Sequence, residues 1–233
     1  MVIDAFAEAL SLITSGDSDL YEILALSVQV SLMALLISVL LALPLGTLLA
    51  ISHFPGRRLV ITCLNALMAL PPVVVGLLVY LMLSRSGPLG VLGLLYTPTA
   101  MVIAQVVLIT PIIASLAHQT MEDLHLEYRE LFHSLKISKF RAIPTYLWDA
   151  RYSLVTALLA GFGRAVSEVG AVIIVGGNID HLTRVMTTAI ALETARGELG
   201  LALALGVILV GMALLVNAAV MLIRTMGRRR AYV

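Results

Sequence analysis

Apolar residues run in long blocks along this chain, and short polar segments separate the blocks. From Ile23 to Ser52 there is no Asp, Glu, Lys or Arg. Crossing a bilayer takes about 20 mostly apolar residues at about 1.5 Å rise each. By that measure the pattern predicts five spans: Ile23–Ser52, Leu59–Ser84, Thr97 to about Ala117, Tyr152–Gly177 and Leu201–Ile223. Ahead of them, residues 1–22 carry Asp4, Glu8, Asp17, Asp19 and Glu22, with Phe6, Leu10 and Ile13 at helical spacing. That predicts a short amphipathic helix and then a polar break at Gly16–Asp19.

One long polar run interrupts the apolar pattern, from Met121 to Arg151. It keeps apolar residues at helical spacing: Leu124, Tyr128, Leu131, Phe132 and Leu135, then Phe140, Ile143 and Leu147. The spacing predicts two short helices around a turn near Ser134–Ser138, with Pro144 in the first turns of the second. Two readings stand for such a hairpin: a docking element for a soluble partner, or a connector lying on lipid.

The spans themselves carry breakers. Pro71-Pro72 in the middle of the second removes two backbone donors and predicts a kink. Freed carbonyls in lipid need internal partners or a wet cavity, so the kink is expected against protein or a pathway. Arg85–Tyr96 is a glycine-rich loop, and Pro98 and Pro111 fall near the start and inside the third span. Arg164 and Glu168 stand four apart in the fourth span, which predicts one shared helix face. Asn178–Gly200 is too polar to span and reads as a short helix open to a re-entrant course.

Composition supports a membrane protein. Of 233 residues, 60% are hydrophobic and 12% charged, and the net charge is +1; a soluble domain has about a quarter charged residues. Mean hydropathy is +1.03. Nothing in this balance marks a nucleic-acid partner. The lone Cys63 excludes an internal disulfide and reads as a small buried residue. No Lys or Arg precedes Arg57, so no basic flank of a secretory signal is present, and residue 1 is read as the mature start. Lysine and arginine collect on the cytoplasmic side of membrane proteins. One side of the predicted topology holds Arg57 and Arg58, the five of the hairpin (Arg129, Lys136, Lys139, Arg141, Arg151) and the four of the tail (Arg224, Arg228, Arg229, Arg230), eleven of 15. The other holds only Arg85, Arg184 and Arg196, and Arg164 is inside a span. This predicts a cytoplasmic hairpin and C-terminus and an outside N-terminus.

Little here reads as catalysis. There is no G-x-x-x-x-G-K-[ST] run for nucleotide phosphates. His53, His118, His125, His133 and His181 show no metal-ligand spacing, and no acid, base and nucleophile recur on one face. The chain reads as a single all-α polytopic domain over residues 1–233 that is not an enzyme by itself and binds neither metal nor cofactor.

Within the hairpin, Glu130-Leu-Phe opens a stretch with Lys136 six positions on, Ser138 two later, and a proline-free end at Tyr146–Asp149. This resembles the cytoplasmic signature loop of ABC-importer permeases, with Lys136 where the family has glycine. Lysine takes φ > 0 less freely than glycine, which predicts a rebuilt turn. Downstream, Gly163-Arg-Ala-Val-Ser-Glu-Val-Gly-Ala171 and Val175-Gly-Gly-Asn-Ile179 resemble the oxyanion branch of these permeases. Thr183-Arg184, Thr187-Thr-Ala-Ile190, Glu193 and Gly197-Glu198 extend the likeness, as do Phe54-Pro-Gly-Arg57, Leu70-Pro-Pro-Val73 and Leu83–Gly90. The tungstate branch fits best, with molybdate and sulfate permeases further off, and the likeness covers most of residues 23–223.

The resemblance implies a type I importer fold in the cell membrane. Two copies of the chain would form the pathway, two ATP-binding subunits would use ATP and Mg beneath them, and an extracytoplasmic binding protein would deliver the oxyanion. The hairpin would couple through Glu127, Glu130, Phe132, Leu135, Lys136, Ile137, Ser138 and Phe140, with Lys139 among the rim charges. Pathway or gate candidates are Pro71, Pro72, Arg164, Ser167, Glu168, Asn178, Thr187 and Thr188. Each also has a structural reading: an ion pair for Arg164 and Glu168, helix–helix hydrogen bonds for the polar neutrals. Gly161, Gly163 and Gly170 permit close helix approach. A secondary transporter using Arg164 and Glu168, and a plain membrane anchor, are the alternatives; the first usually shows an inverted repeat, which is absent here, and the second needs neither kinks nor buried charges.

Overall fold

The computed structural model describes residues 2–16 and 18–231, without the side chains of residues 2–6, 8, 139–140 and 223–231. Among the described residues every regular element is helical. In chain order these are α1 (Val2–Ser15), α2 (Ser18–Ile51), α3 (Arg57–Met68), α4 (Pro72–Leu83), α5 (Pro98–Ser134), α6 (Lys139–Val166), α7 (Gly170–Gly176), α8 (Met186–Arg196) and α9 (Leu199–Ala231). A single 3-10 turn, Gly90–Leu92, sits in the loop between α4 and α5. The predicted break after α1 is made by Gly16, at φ 72°.

Among the described residues three helices, α2, α5 and α9, are long and apolar enough to cross a membrane, and the number is five if α3 with α4 and α6 with α7 each count as one broken span. The 37 residues of α5 reach about 55 Å at the usual helical rise, far beyond the hydrocarbon core. Here expectation and structure part. The hairpin arms are not two short helices: the first is the polar end of α5 and the second the polar start of α6. A continuous helix satisfies every amide across the apolar-to-polar boundary.

Proline position decides the other breaks. At Pro71-Pro72 the helix does not kink but stops. The amides of Ala69 and Leu70 close the end of α3 on the carbonyls of Ala66 and Leu67 at 3.1 and 3.3 Å, and Pro72 becomes the first residue of α4. A residue before proline is pushed out of helix, and proline suits a first helical position. The fourth span is also divided, at Ser167–Val169, so Arg164 in α6 and Glu168 beyond its end do not share one helix face. Cys63 is exposed rather than buried. On α3 only Leu64 is buried, so the apolar side chains of this segment point outward.

The chain packs as two compact units. One comprises residues 34–71 and 106–165. Its core joins Ala42, Leu49, Leu64, Ile113 and Ala114, and beside them Ile51, Met121, Ala142, Tyr146 and Leu154. At Gly46 a Cβ would lie 2.7 Å from the Ala114 carbonyl oxygen and 2.9 Å from the His118 nitrogen, so α2 meets the α5 backbone there. The other unit comprises residues 1–33, 72–105 and 166–233. In it α1 and α8 lie on α9, α4 lies on α7, and the core centres on Leu20, Ile23, Met186, Ala204 and Leu205. Val207, Val210, Leu214, Leu215, Met221 and Leu222 of α9 are exposed apolar surface of the kind a bilayer covers.

Candidate functional site

The hairpin turn is built by backbone hydrogen bonds. Lys136 N–H donates to the His133 carbonyl at 3.1 Å, and Ile137 N–H to the Phe132 carbonyl at 2.9 Å. This paired pattern is the Schellman close of a helix, with a left-handed residue after the last helical turn. That residue is Lys136, at φ 53°. The expectation of a rebuilt turn is thus overturned: lysine adopts the glycine conformation, at a cost of about 1–2 kcal/mol. The two bonds offset it by satisfying carbonyls that would otherwise lack donors. Ser138 then immediately precedes α6, its carbonyl accepting from Ala142 N–H at 3.2 Å.

Beneath the turn the two arms are pinned by aromatics. Tyr128, Phe132 and Tyr146 have ring centroids 5.5–6.3 Å apart. Tyr146 is 1% exposed, and its hydroxyl hydrogen-bonds His125 Nδ1 at 2.9 Å. The tip is different. Leu135 is 60% exposed and Ile137 is exposed too, ringed by exposed Glu127, Glu130, Lys136 and Ser138. An apolar centre within a charged rim is the anatomy of a docking surface. The side chains of Phe140 and Lys139 lie outside the described residues. An open cleft of about 930 Å³ beside the hairpin is lined by Arg57, Glu122, His125, Glu130, Phe132 and Ile137 among others.

Arg57 is a part of this region that sequence reasoning counted only as charge and as the end of a motif. Its Nε donates to the Leu49 carbonyl at 2.7 Å and its Nη2 to Glu122 Oε1 at 2.7 Å, with His118 Nε2 at 3.2 Å. One guanidinium therefore ties the end of α2 and the start of α3 to the base of the hairpin arm. Planar, multidentate donors suit arginine and not lysine.

In the other unit the broken span forms a second cluster. Glu168 is 5% exposed, and its Oε1 accepts Ala171 N–H in the first turn of α7 at 3.1 Å. Its carbonyl accepts the Thr187 hydroxyl at 2.8 Å. Thr188 Oγ1 accepts Val185 N–H at 3.1 Å and donates to the Val185 carbonyl at 3.0 Å, closing the start of α8. Asn178 is left-handed, φ 49°, with a buried Oδ1 that has no hydrogen-bond partner. Ser167 is exposed and Arg164 is half-buried in the last turn of α6. Glu168 and Thr187 are thus brought together, whereas Asn178 sits in the following loop. Pro72 opens α4, whose first turn meets α7: a Cβ on Gly170 would lie 2.9 Å from Val73 Cγ2. Sequence reasoning missed Ser27, whose Oγ accepts Met186 N–H at 2.7 Å, and named Thr183 only as part of a motif; its Oγ1 donates to the Gly176 carbonyl at 2.6 Å.

Comparison with known proteins adds the following. The family model described as binding-protein-dependent transport system inner membrane component matches residues 42–229. The tungstate uptake system permease protein TupB of Peptoclostridium acidaminophilum is 40% identical over 94% of this chain and 96% of its own length. A probable anion ABC transporter permease protein of Haloferax volcanii is 40% identical over 85% of this chain and 88% of its own. The sulfate transport system permease protein CysW of Synechococcus elongatus is 25% identical over 80% of this chain and 68% of its own.

Proposed function

The chain belongs to the binding-protein-dependent transport system inner membrane components, an ABC permease family of all-α membrane subunits, and from that premise we propose that two copies of it form the translocation pathway of an ATP-driven tungstate importer. The observation that carries the cargo is the 40% identity to a tungstate uptake permease across 94% of the chain. Sulfate permeases match at 25–28%, so sulfate or molybdate is the second reading. Tetrahedral oxyanions differ little in shape, and selection falls mainly to a separate extracytoplasmic binding protein.

In this reading each hairpin seats Leu135 and Ile137 in a groove of an ATP-binding subunit, which supplies ATP and Mg chemistry that this chain lacks a P-loop to perform. Closure of those subunits moves the hairpin as a rigid lever, since α5 is unbroken from Pro98 to Ser134. The distribution of lysine and arginine supports a cytoplasmic hairpin and C-terminus and an outside N-terminus. Pro71, Pro72, Arg164, Ser167, Glu168, Asn178, Thr187 and Thr188 remain the pathway or gate candidates. Of these, Glu168 and Thr187 hold the α6–α7 break in shape, and a broken helix is where backbone polar groups can face a passing ion.

The test is uptake of labelled tungstate by vesicles holding the permease, the ATP-binding subunit and the binding protein. Uptake that requires ATP and all three parts is expected, with tungstate outcompeting sulfate. Movement of tungstate by the permease alone would overturn the reading.

A further inference from the structure

Where the polar run of α6 gives way to its apolar span, exposed Trp148 and half-buried Arg151 and Tyr152 form one group. Trp148 is 68% exposed. The Arg151 guanidinium carbon lies 4.6 Å from the centroid of the Trp148 ring and 4.6 Å from that of Tyr152. Its Nη1 donates to the Trp148 carbonyl. Positions 148, 151 and 152 fall on one helix face. The neighbouring carboxylate, Asp149, acts on the hairpin side, where it holds the Tyr128 hydroxyl above its ordinary value. So the flat cation stacks on two aromatic rings.

From this geometry we propose that Trp148, Arg151 and Tyr152 form a binding site for the phosphate headgroup of an anionic phospholipid. Three observations select a lipid over a protein partner. Indole and phenol rings favour the level where headgroup meets acyl chain. Arginine matches phosphate oxygens with paired donors and is more weakly hydrated than lysine. The same helix face continues into half-exposed Val155 and Leu159. A cation flanked by aromatics at Trp148 and Tyr152, followed by Val155 and Leu159 within about three turns in all, is complementary to a headgroup phosphate at the boundary with the acyl chains. Arg141 lies ten residues back, about 15 Å along the helix and beyond the headgroup layer. It serves as an internal control. The site fixes the depth of α6 at the root of the hairpin, and so the level from which the lever pivots.

The inference rests on the reading that α6 enters the bilayer after Arg151 with the hairpin in the cytoplasm. Trp148 is the chain's single tryptophan, so its fluorescence reports the site without labelling. The experiment places the full-length chain in phosphatidylcholine vesicles that contain a small fraction of phosphatidylglycerol. Either lipid is brominated high on the acyl chain to quench Trp148. Brominated phosphatidylglycerol should quench about fivefold more per mole than brominated phosphatidylcholine, the factor that one surface arginine carries against an anionic lipid. Arg151→Gln should erase that preference, and Arg141→Gln should keep it, both with unchanged thermal midpoints. Equal quenching by the two lipids in the unsubstituted protein overturns the proposal. So does a preference that survives Arg151→Gln, and so does absence of quenching by either, which would mean that protein covers the face. Sidedness is read separately: Ser134→Cys in a Cys63→Ser background, labelled from outside intact cells, would sink the cytoplasmic placement and leave the headgroup preference of Trp148 standing.

Discussion

Leu135 is where the docking reading is most exposed to refutation. Burying a leucine side chain is worth about 1.5–3 kcal/mol. At 60% exposure in the isolated chain, more than half of that remains available on docking, or about 1–2 kcal/mol for each hairpin. Leu135→Ala should therefore weaken binding of the ATP-binding subunit by about 5- to 30-fold. Leu135→Asp should weaken it further, because an unpaired carboxylate resists transfer into an apolar groove. Neither change should unfold the permease. The residue lies past the end of α5, and the turn is held by backbone bonds from Lys136 and Ile137. The assay is affinity of the ATP-binding subunit for permease in nanodiscs, read beside ATPase stimulation by the loaded binding protein. Leu214→Ala on α9, at 66% exposure, is the control and should change neither. Undiminished affinity and stimulation in Leu135→Asp, with an unchanged thermal midpoint, would refute the argument that the tip is the anchor.

Three further outcomes follow from the geometry. Lys136→Gly should stabilise the chain by about 0.5–1 kcal/mol, because glycine relieves the left-handed strain and gives back part of it as unfolded-chain entropy; a lower thermal midpoint would contradict this. Gly46→Ala should cost at least about 1–3 kcal/mol, since its Cβ would meet backbone atoms of α5 at 2.7 and 2.9 Å that cannot yield as a side chain can; limited proteolysis of the hairpin region checks it. Finally, the Glu22 carboxylate, 2.8 Å from the His181 ring, holds the imidazole above its ordinary value. A raised histidine stabilises fully below about pH 6.5, its unfolded value, and the contribution is lost as pH climbs through the higher folded value. Amide exchange across residues 177–185, corrected for intrinsic rate, should quicken as pH rises above about 6.5, and His181→Gln should remove the difference.

Much of the architecture can be read without coordinates because its causes are local. Absence of charge over Ile23–Ser52 is enough to require a span, and α2 covers it. The turn near Ser134–Ser138 follows from apolar spacing that lapses at Leu135, and the break at Gly16 from the one residue nearby that takes φ > 0 freely. Pro71-Pro72 announces a discontinuity by removing donors, although its severity, a stop rather than a kink, depends on what the ends of α3 and α4 find to bond with.

The remaining features depend on partners that sequence spacing cannot reveal. The stop of α6 at Val166 involves no proline. It stands because Glu168 meets Ala171 and Thr187, nineteen residues on, and only the fold brings Thr187 there. Arg57 meets Glu122 across 65 residues and Ser27 meets Met186 across 159, pairs that no periodicity encodes. Lys136 shows the limit from the other direction: its intrinsic preference argues against φ > 0, and the backbone hydrogen bonds that close the helix end override it. Hydrophobic pattern alone thus determined which segments are apolar enough to cross a membrane and which are too polar, since transfer from water depends on each side chain's own chemistry. Where helices break, which charges meet and what the hairpin tip presents were decided by packing, since a hydrogen bond needs two groups at about 3 Å and the chain's course sets that distance.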